Sequence, residues 1–205
     1  MHHSTLTMYH RQPFVLALLL WTSAWADGGA PAPSNRPWAV FDTGSPPDAF
    51  GTDGFDVSRD QSVAMRFIAS AGGPLQRIEL YLMSNTDGSP PQPSVEVQLV
   101  VGSAAAPSSG KVLERFLGVP VTAVGFQPVL VQLKSMLQPN INVGDMLWVV
   151  LSSNNSAQSD GVWCMSNSLA FGATTAQDGT WQPGASGNAA AVSVWAASAP
   201  PSVKK

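Results

Sequence analysis

Histidine is confined to the start of this 205-residue chain, at His2, His3 and His10. Beyond residue 10 a Ser-His or Cys-His nucleophile and a histidine-ligated catalytic zinc are therefore excluded. Cysteine occurs once, at Cys164, so no internal disulfide can form and the fold must rest on its core. Charge is sparse, at 11% of residues, and no Lys or Arg lies between Lys134 and Lys204. A nucleic-acid partner needs a clustered basic face, whereas the adjacent pair Lys204-Lys205 reads as a solvated end, so that class is set aside. Helical stripes are also missing: outside the N-terminal apolar run no window repeats apolar residues every three to four positions.

The N-terminus carries Arg11, an apolar run over residues 14–21 and the triplet Ala24, Trp25, Ala26. This is the order of a secretory signal peptide with an A-x-A cleavage site. The run is too short to span a bilayer, which takes about 20 apolar residues. Residues 1–26 are accordingly expected to be removed, leaving no membrane anchor and a secreted or periplasmic chain. Arg11 is the only charged residue before Asp27, so nine Lys+Arg then stand against thirteen Asp+Glu, a formal charge of about −4. Residues 27–37 (DGGAPAPSNRP) read as an extended linker, residues 38–197 as one folded domain, and residues 198–205 (SAPPSVKK) as a disordered tail.

Between linker and tail, apolar residues recur with period two in short runs bounded by Gly, Pro, Asn, Asp and Ser. The runs predict strands over residues 38–43, 62–68, 75–83, 94–101, 112–117, 126–133, 146–152, 161–166 and 190–196. Ile78, Leu80 and Leu82 alternate with Arg77, Glu79, Tyr81 and Met83, giving one dry and one wet face. So many strands without crossover helices predict an all-β, antiparallel two-sheet sandwich of jelly-roll type, with an immunoglobulin-like sandwich as the alternative.

Several segments carry a family likeness: WAVFDTGSP (38–46), QSVAMRFIASAGGPLQRIELYLM (61–83), SSGKVLERF (108–116), VGDMLWVVLSS (143–153), GVW (161–163), DGTW (178–181) and AAVSVWA (190–196). Together they resemble the exported bacterial β-sandwich domains grouped as choice-of-anchor or PEP-CTERM-associated domains. The resemblance implies an extracytoplasmic, non-catalytic role and supplies no catalytic residues. Such domains often end in a Pro-Glu-Pro motif, an apolar helix and a basic tail, and SAPPSVKK departs from that pattern. Sorting to the surface by that route is therefore not expected.

Individual residues offer few sites. Cys164 has no histidine or nearby cation to lower its pKa and reads as an inert, buried thiol. Glu79 and Glu96, on wet faces of strands that could be neighbours, are the pair a glycosidase would use, with Glu114 nearby in LERF. Their plainer role is a solvated face with ion pairs to Arg77, Lys111 or Arg115. Asp42, Asp48, Asp53, Asp56 and Asp60 crowd a Gly-rich segment that could hold a structural Ca²⁺, with Asp42 and Asp56 the first ligands to test. Aspartate and glycine are equally what turns use.

Tryptophans are the remaining candidates. Trp38, Trp148 and Trp195 sit among aliphatic strand residues, where packing is the default. Trp181 lies in a polar, Gly-rich stretch and could stack on a sugar ring from a loop, or fold back to plug one end of the sandwich. Trp163 is the second ligand candidate if its face is open. These features point to a secreted non-enzymatic binding or structural module, with polysaccharide or another cell-surface component as partner. The alternatives are a small carbohydrate-active hydrolase or lyase with paired carboxylates, and a self-associating structural subunit.

Overall fold

The computed structural model describes residues 37–44, 53–84, 93–102, 106–122, 127–154, 160–166, 174–177, 180–182 and 189–197. The expected signal, all of the linker except Pro37, and the tail lie outside them, as does Asp48.

The strands are β1 (Trp38–Asp42), β2 (Gly54–Val57), β3 (Gln61–Ile68), β4 (Gly73–Met83), β5 (Ser94–Val101), β6 (Lys111–Pro120), β7 (Val129–Lys134), β8 (Asn140–Ile141), β9 (Met146–Ser152), β10 (Gly161–Cys164), β11 (Thr174–Gln177), β12 (Thr180–Gln182) and β13 (Val192–Ala196). A single 3-10 turn, Pro107–Ser109, is the only helical element among the described residues. Every strand pairing is antiparallel. The predicted all-β sandwich is what forms.

In the first sheet, sheet A, β13 lies between β1 and β4, and β7 lines the other edge of β4; β10 and β2 extend it at one end and β8 at the other. Sheet B runs β12-β11-β3-β9-β5-β6. Number the long strands β1, β3, β4, β5, β6, β7, β9 and β13 first to eighth. The sheets then read first-eighth-third-sixth and second-seventh-fourth-fifth, the strand order of a jelly roll rather than an immunoglobulin domain. β4 and β5, though successive, therefore belong to different sheets.

The core lies between the sheets. Ile78, Leu80 and Leu82 of β4 and Val192 and Val194 of β13 face Val63, Met65 and Phe67 of β3, Leu147, Val149 and Leu151 of β9, and Val95, Val97 and Leu99 of β5, all buried. Phe41 of β1 stacks on Phe67 of β3 with ring centroids 4.5 Å apart, joining the sheets at their edge. Alternation dictates this arrangement, because a strand residue two positions on returns to the same face.

Two turns at one end of the sandwich are fixed by polar side chains. Between β8 and β9, Asp145 Oδ2 accepts from Asn142 N at 2.8 Å, and Gly144 takes the positive φ of 88° that this turn requires. Between β7 and β8, the Glu114 carboxylate points inward from β6, buried. It accepts from Ser135 Oγ at 2.7 Å and from the amides of Met136 at 3.3 Å and Leu137 at 3.2 Å. Glu114 is thus a pin for this turn and not part of a solvated face.

Candidate ligand-binding face

Side chains on the outer face of sheet A follow from its register. One row crosses four strands as Asp42, Ser193, Glu79 and Gln132; the next crosses them as Ala39, Trp195, Arg77 and Lys134. Tyr81, two positions beyond Glu79, lies on the same face opposite Leu130.

These rows are tied together. Glu79 Oε1 accepts from Arg77 Nε at 2.8 Å and from Gln132 Nε2 at 2.9 Å, and its Oε2 accepts from Trp195 Nε1 at 2.8 Å. The Arg77 guanidinium carbon lies 4.6 Å from the Trp195 ring centroid, within cation–π range. Ser193 Oγ donates to Asp42 Oδ1 at 2.7 Å, which also accepts the Gly44 amide at 2.8 Å. Trp195 is half-buried, held by its polar edge, on strands rather than loops. A carboxylate, a guanidinium, an amide and a hydroxyl therefore sit around an aromatic ring on a rigid surface. That mixture suits a ligand with hydroxyl groups and an apolar ring face.

Trp181 is on a strand, not a loop: it pairs with Ala176 at the edge of sheet B and, half-buried, packs against Ala64, Val100, Trp148 and Val150 on that sheet's outer face. Trp148 is buried beneath this layer, with the Arg66 guanidinium carbon 5.7 Å from its ring centroid. Trp163 is fully enclosed in the core, donating from Nε1 to the Ala191 carbonyl at 3.0 Å, so its ring presents no surface to a ligand. The structure does not bring Trp163 and Trp181 together. Trp195, assigned to packing from its aliphatic neighbours, faces outward instead.

Asp42 and Asp56 are both exposed; Asp56 lies on β2 opposite Val162. Among the described residues no group of three or more carboxylate, cysteine or histidine side chains gathers as a metal site would. Glu79 and Glu96 lie on the outer faces of different sheets, so the core separates them and they cannot flank one glycosidic bond. Each has the ion pair expected of it, Glu79 with Arg77 at 2.8 Å and Glu96 with Arg115 at 3.0 Å.

Cys164 is fully buried beside Met83 and Val162. Burial pushes its thiol up to about 12, against a smaller opposing effect of a backbone hydrogen bond. Relative to the ordinary value of 9.0, the thiolate fraction at pH 8 falls about a thousandfold. Labelling by a thiol-specific disulfide reagent at pH 8 should accordingly be undetectable in the folded protein and complete in denaturant. Prompt labelling of the native chain would contradict this placement.

What fold and face define together is a two-sheet jelly roll with a polar-aromatic outer face. The chain matches no protein-family model, no curated protein and no solved structure.

Proposed function

We propose that this protein is a non-catalytic binding module of the cell exterior that takes up polysaccharide on the outer face of sheet A. The observation supporting this reading most directly is Trp195, held by its indole N–H on Glu79 within a network that includes Arg77 and Gln132. A sugar can stack its C–H face on such a ring while neighbouring polar groups meet its hydroxyls. Export, expected from the N-terminal segment, would bring the module to such a ligand.

The test is binding of the purified protein to a panel of soluble and insoluble polysaccharides. Trp195→Ala should weaken saturable binding about thirtyfold or more, the effect of removing an aromatic anchor. Trp181→Ala, on the other sheet, should leave affinity unchanged. Loss in Trp181→Ala alone would move the site to sheet B, and no binding by the parent protein would remove the proposal.

A hydrolytic reading retains one arrangement, since Asp42 and Glu79 share a row two strands apart, with backbones roughly 10 Å from each other. Release of reducing ends in the same panel, abolished in Glu79→Gln, would favour it.

A further inference from the structure

Nine large apolar side chains are exposed among the described residues, and they are not spread evenly. Trp38 (56% exposed), Ile68 (60%), Met136 (82%), Leu137 (72%) and Val143 (70%) all lie at one end of the sandwich. There β1 and β9 begin, β3 and β7 end, and the turns at 135–138 and 142–145 protrude. Val112, second residue of β6, lies at the same end.

These side chains are not loose ends. Glu114 pins the turn bearing Met136 and Leu137, and Asp145 closes the turn bearing Val143. That second turn is also stitched to the end of β3, through Ala69 N to the Asp145 carbonyl and Gly144 N to the Ala69 carbonyl, both 2.9 Å. Gly72 packs so closely on residues 141–143 that a Cβ there would come 2.9 Å from the Ile141 carbonyl oxygen. Rigid turns thus hold the apolar groups in water, at a cost that calls for a partner.

Charge indicates which partner. Lys111 and Lys134, both exposed, border this end at the start of β6 and the end of β7. The carboxylates beside the tips are engaged: Glu114 is buried and Asp145 caps its turn. Apolar side chains on separate tips, a tryptophan at the margin and flanking lysines are what an anionic bilayer surface accepts, since tips enter the acyl boundary while cations stay at the headgroups.

We infer that this end of the sandwich docks on an anionic lipid surface through Met136, Leu137, Val143, Ile68 and Trp38. The inference does not rest on the sugar-binding proposal: the apolar tips lie at the strand ends, and Lys134, at the border of the outer face of sheet A, is the one residue of that face brought to the headgroups.

The experiment is co-sedimentation of the exported form of the protein with vesicles of phosphatidylglycerol and phosphatidylcholine, and with phosphatidylcholine alone. Binding to the mixed vesicles is expected. It should fall about a hundredfold in the double variant Met136→Asp, Leu137→Asp. In Lys111→Gln or Lys134→Gln, and with rising salt, it should fall about fivefold per lysine. Val143→Asp provides a second variant on another turn, and an unchanged denaturant midpoint reports that each variant is folded. No partition to either vesicle, or partition that survives the apolar variants, would overturn the inference. So would a concentration-dependent dimer of the parent that these variants abolish, since a second copy would then be the occupant.

Discussion

Trp163→Ala is expected to lower the unfolding free energy by about 3–5 kcal/mol, seen as a lower denaturant midpoint at unchanged slope. The ring is completely enclosed between the sheets and is among the largest fully buried side chains. Its removal leaves a cavity lined by strands that cannot close in without breaking register, and it takes from the Ala191 carbonyl its indole donor. Trp163→Phe restores most of the volume without the hydrogen bond, so it should recover most of the loss. A cost below about 1 kcal/mol for the alanine variant would mean that the site collapses freely.

Glu114→Ala should cost about 2–4 kcal/mol, for a different reason. The carboxylate is the shared acceptor for the Ser135 hydroxyl and two successive amides, all close to or within the interior. Alanine would leave these donors without their partner, and the buried ones bear the full desolvation penalty. Glu114→Gln keeps one acceptor oxygen but turns an NH₂ toward other donors, so it should recover only part. Besides the midpoint, limited proteolysis should now cut within 135–138, a turn that also contains Gln138 at a positive φ of 47°. Stability within about 0.5 kcal/mol of the parent, with the turn still protected, would refute the pin.

Much of this molecule is visible in its alternation. Runs such as SVEVQLVV and MLWVVLS show their strands because the period of two is backed by β-branched residues, and β5 and β9 begin and end where predicted. The elements that escaped are those where the pattern is too short or the composition suggests a turn. Gly54–Val57 sits in an Asp/Gly-rich segment, yet Gly54 is a strand residue, opposite Cys164, where a Cβ would collide with Val162 and the Trp163 carbonyl. Thr180–Gln182 is an edge strand of only three residues in a polar context, which is why Trp181 read as a loop aromatic.

The candidate site was less legible. Alternation in VSVWA already sets Val192, Val194 and Ala196 inward and Trp195 outward, but composition weighed more heavily than phase. Pairing Glu79 with Glu96 assumed that consecutive strands are neighbours, and a jelly roll instead sends the chain across to the other sheet. Nothing local to either glutamate carries that information. Glu114 was illegible for a different reason: alternation sets it on the same face as Phe116, which packs on the core, but a carboxylate in that phase reads as surface because the turn that supplies its donors lies about twenty residues downstream.

The place of β13 between β1 and β4 has a bearing on the order of assembly. Residues 38–42 have as their ladder partner a strand about 150 positions downstream, and the middle of sheet A remains a gap until residue 196 has left the ribosome. Closure of the sandwich must therefore wait for β13, a topology of long-range pairings that folds slowly and keeps the preceding strands open while they are being made.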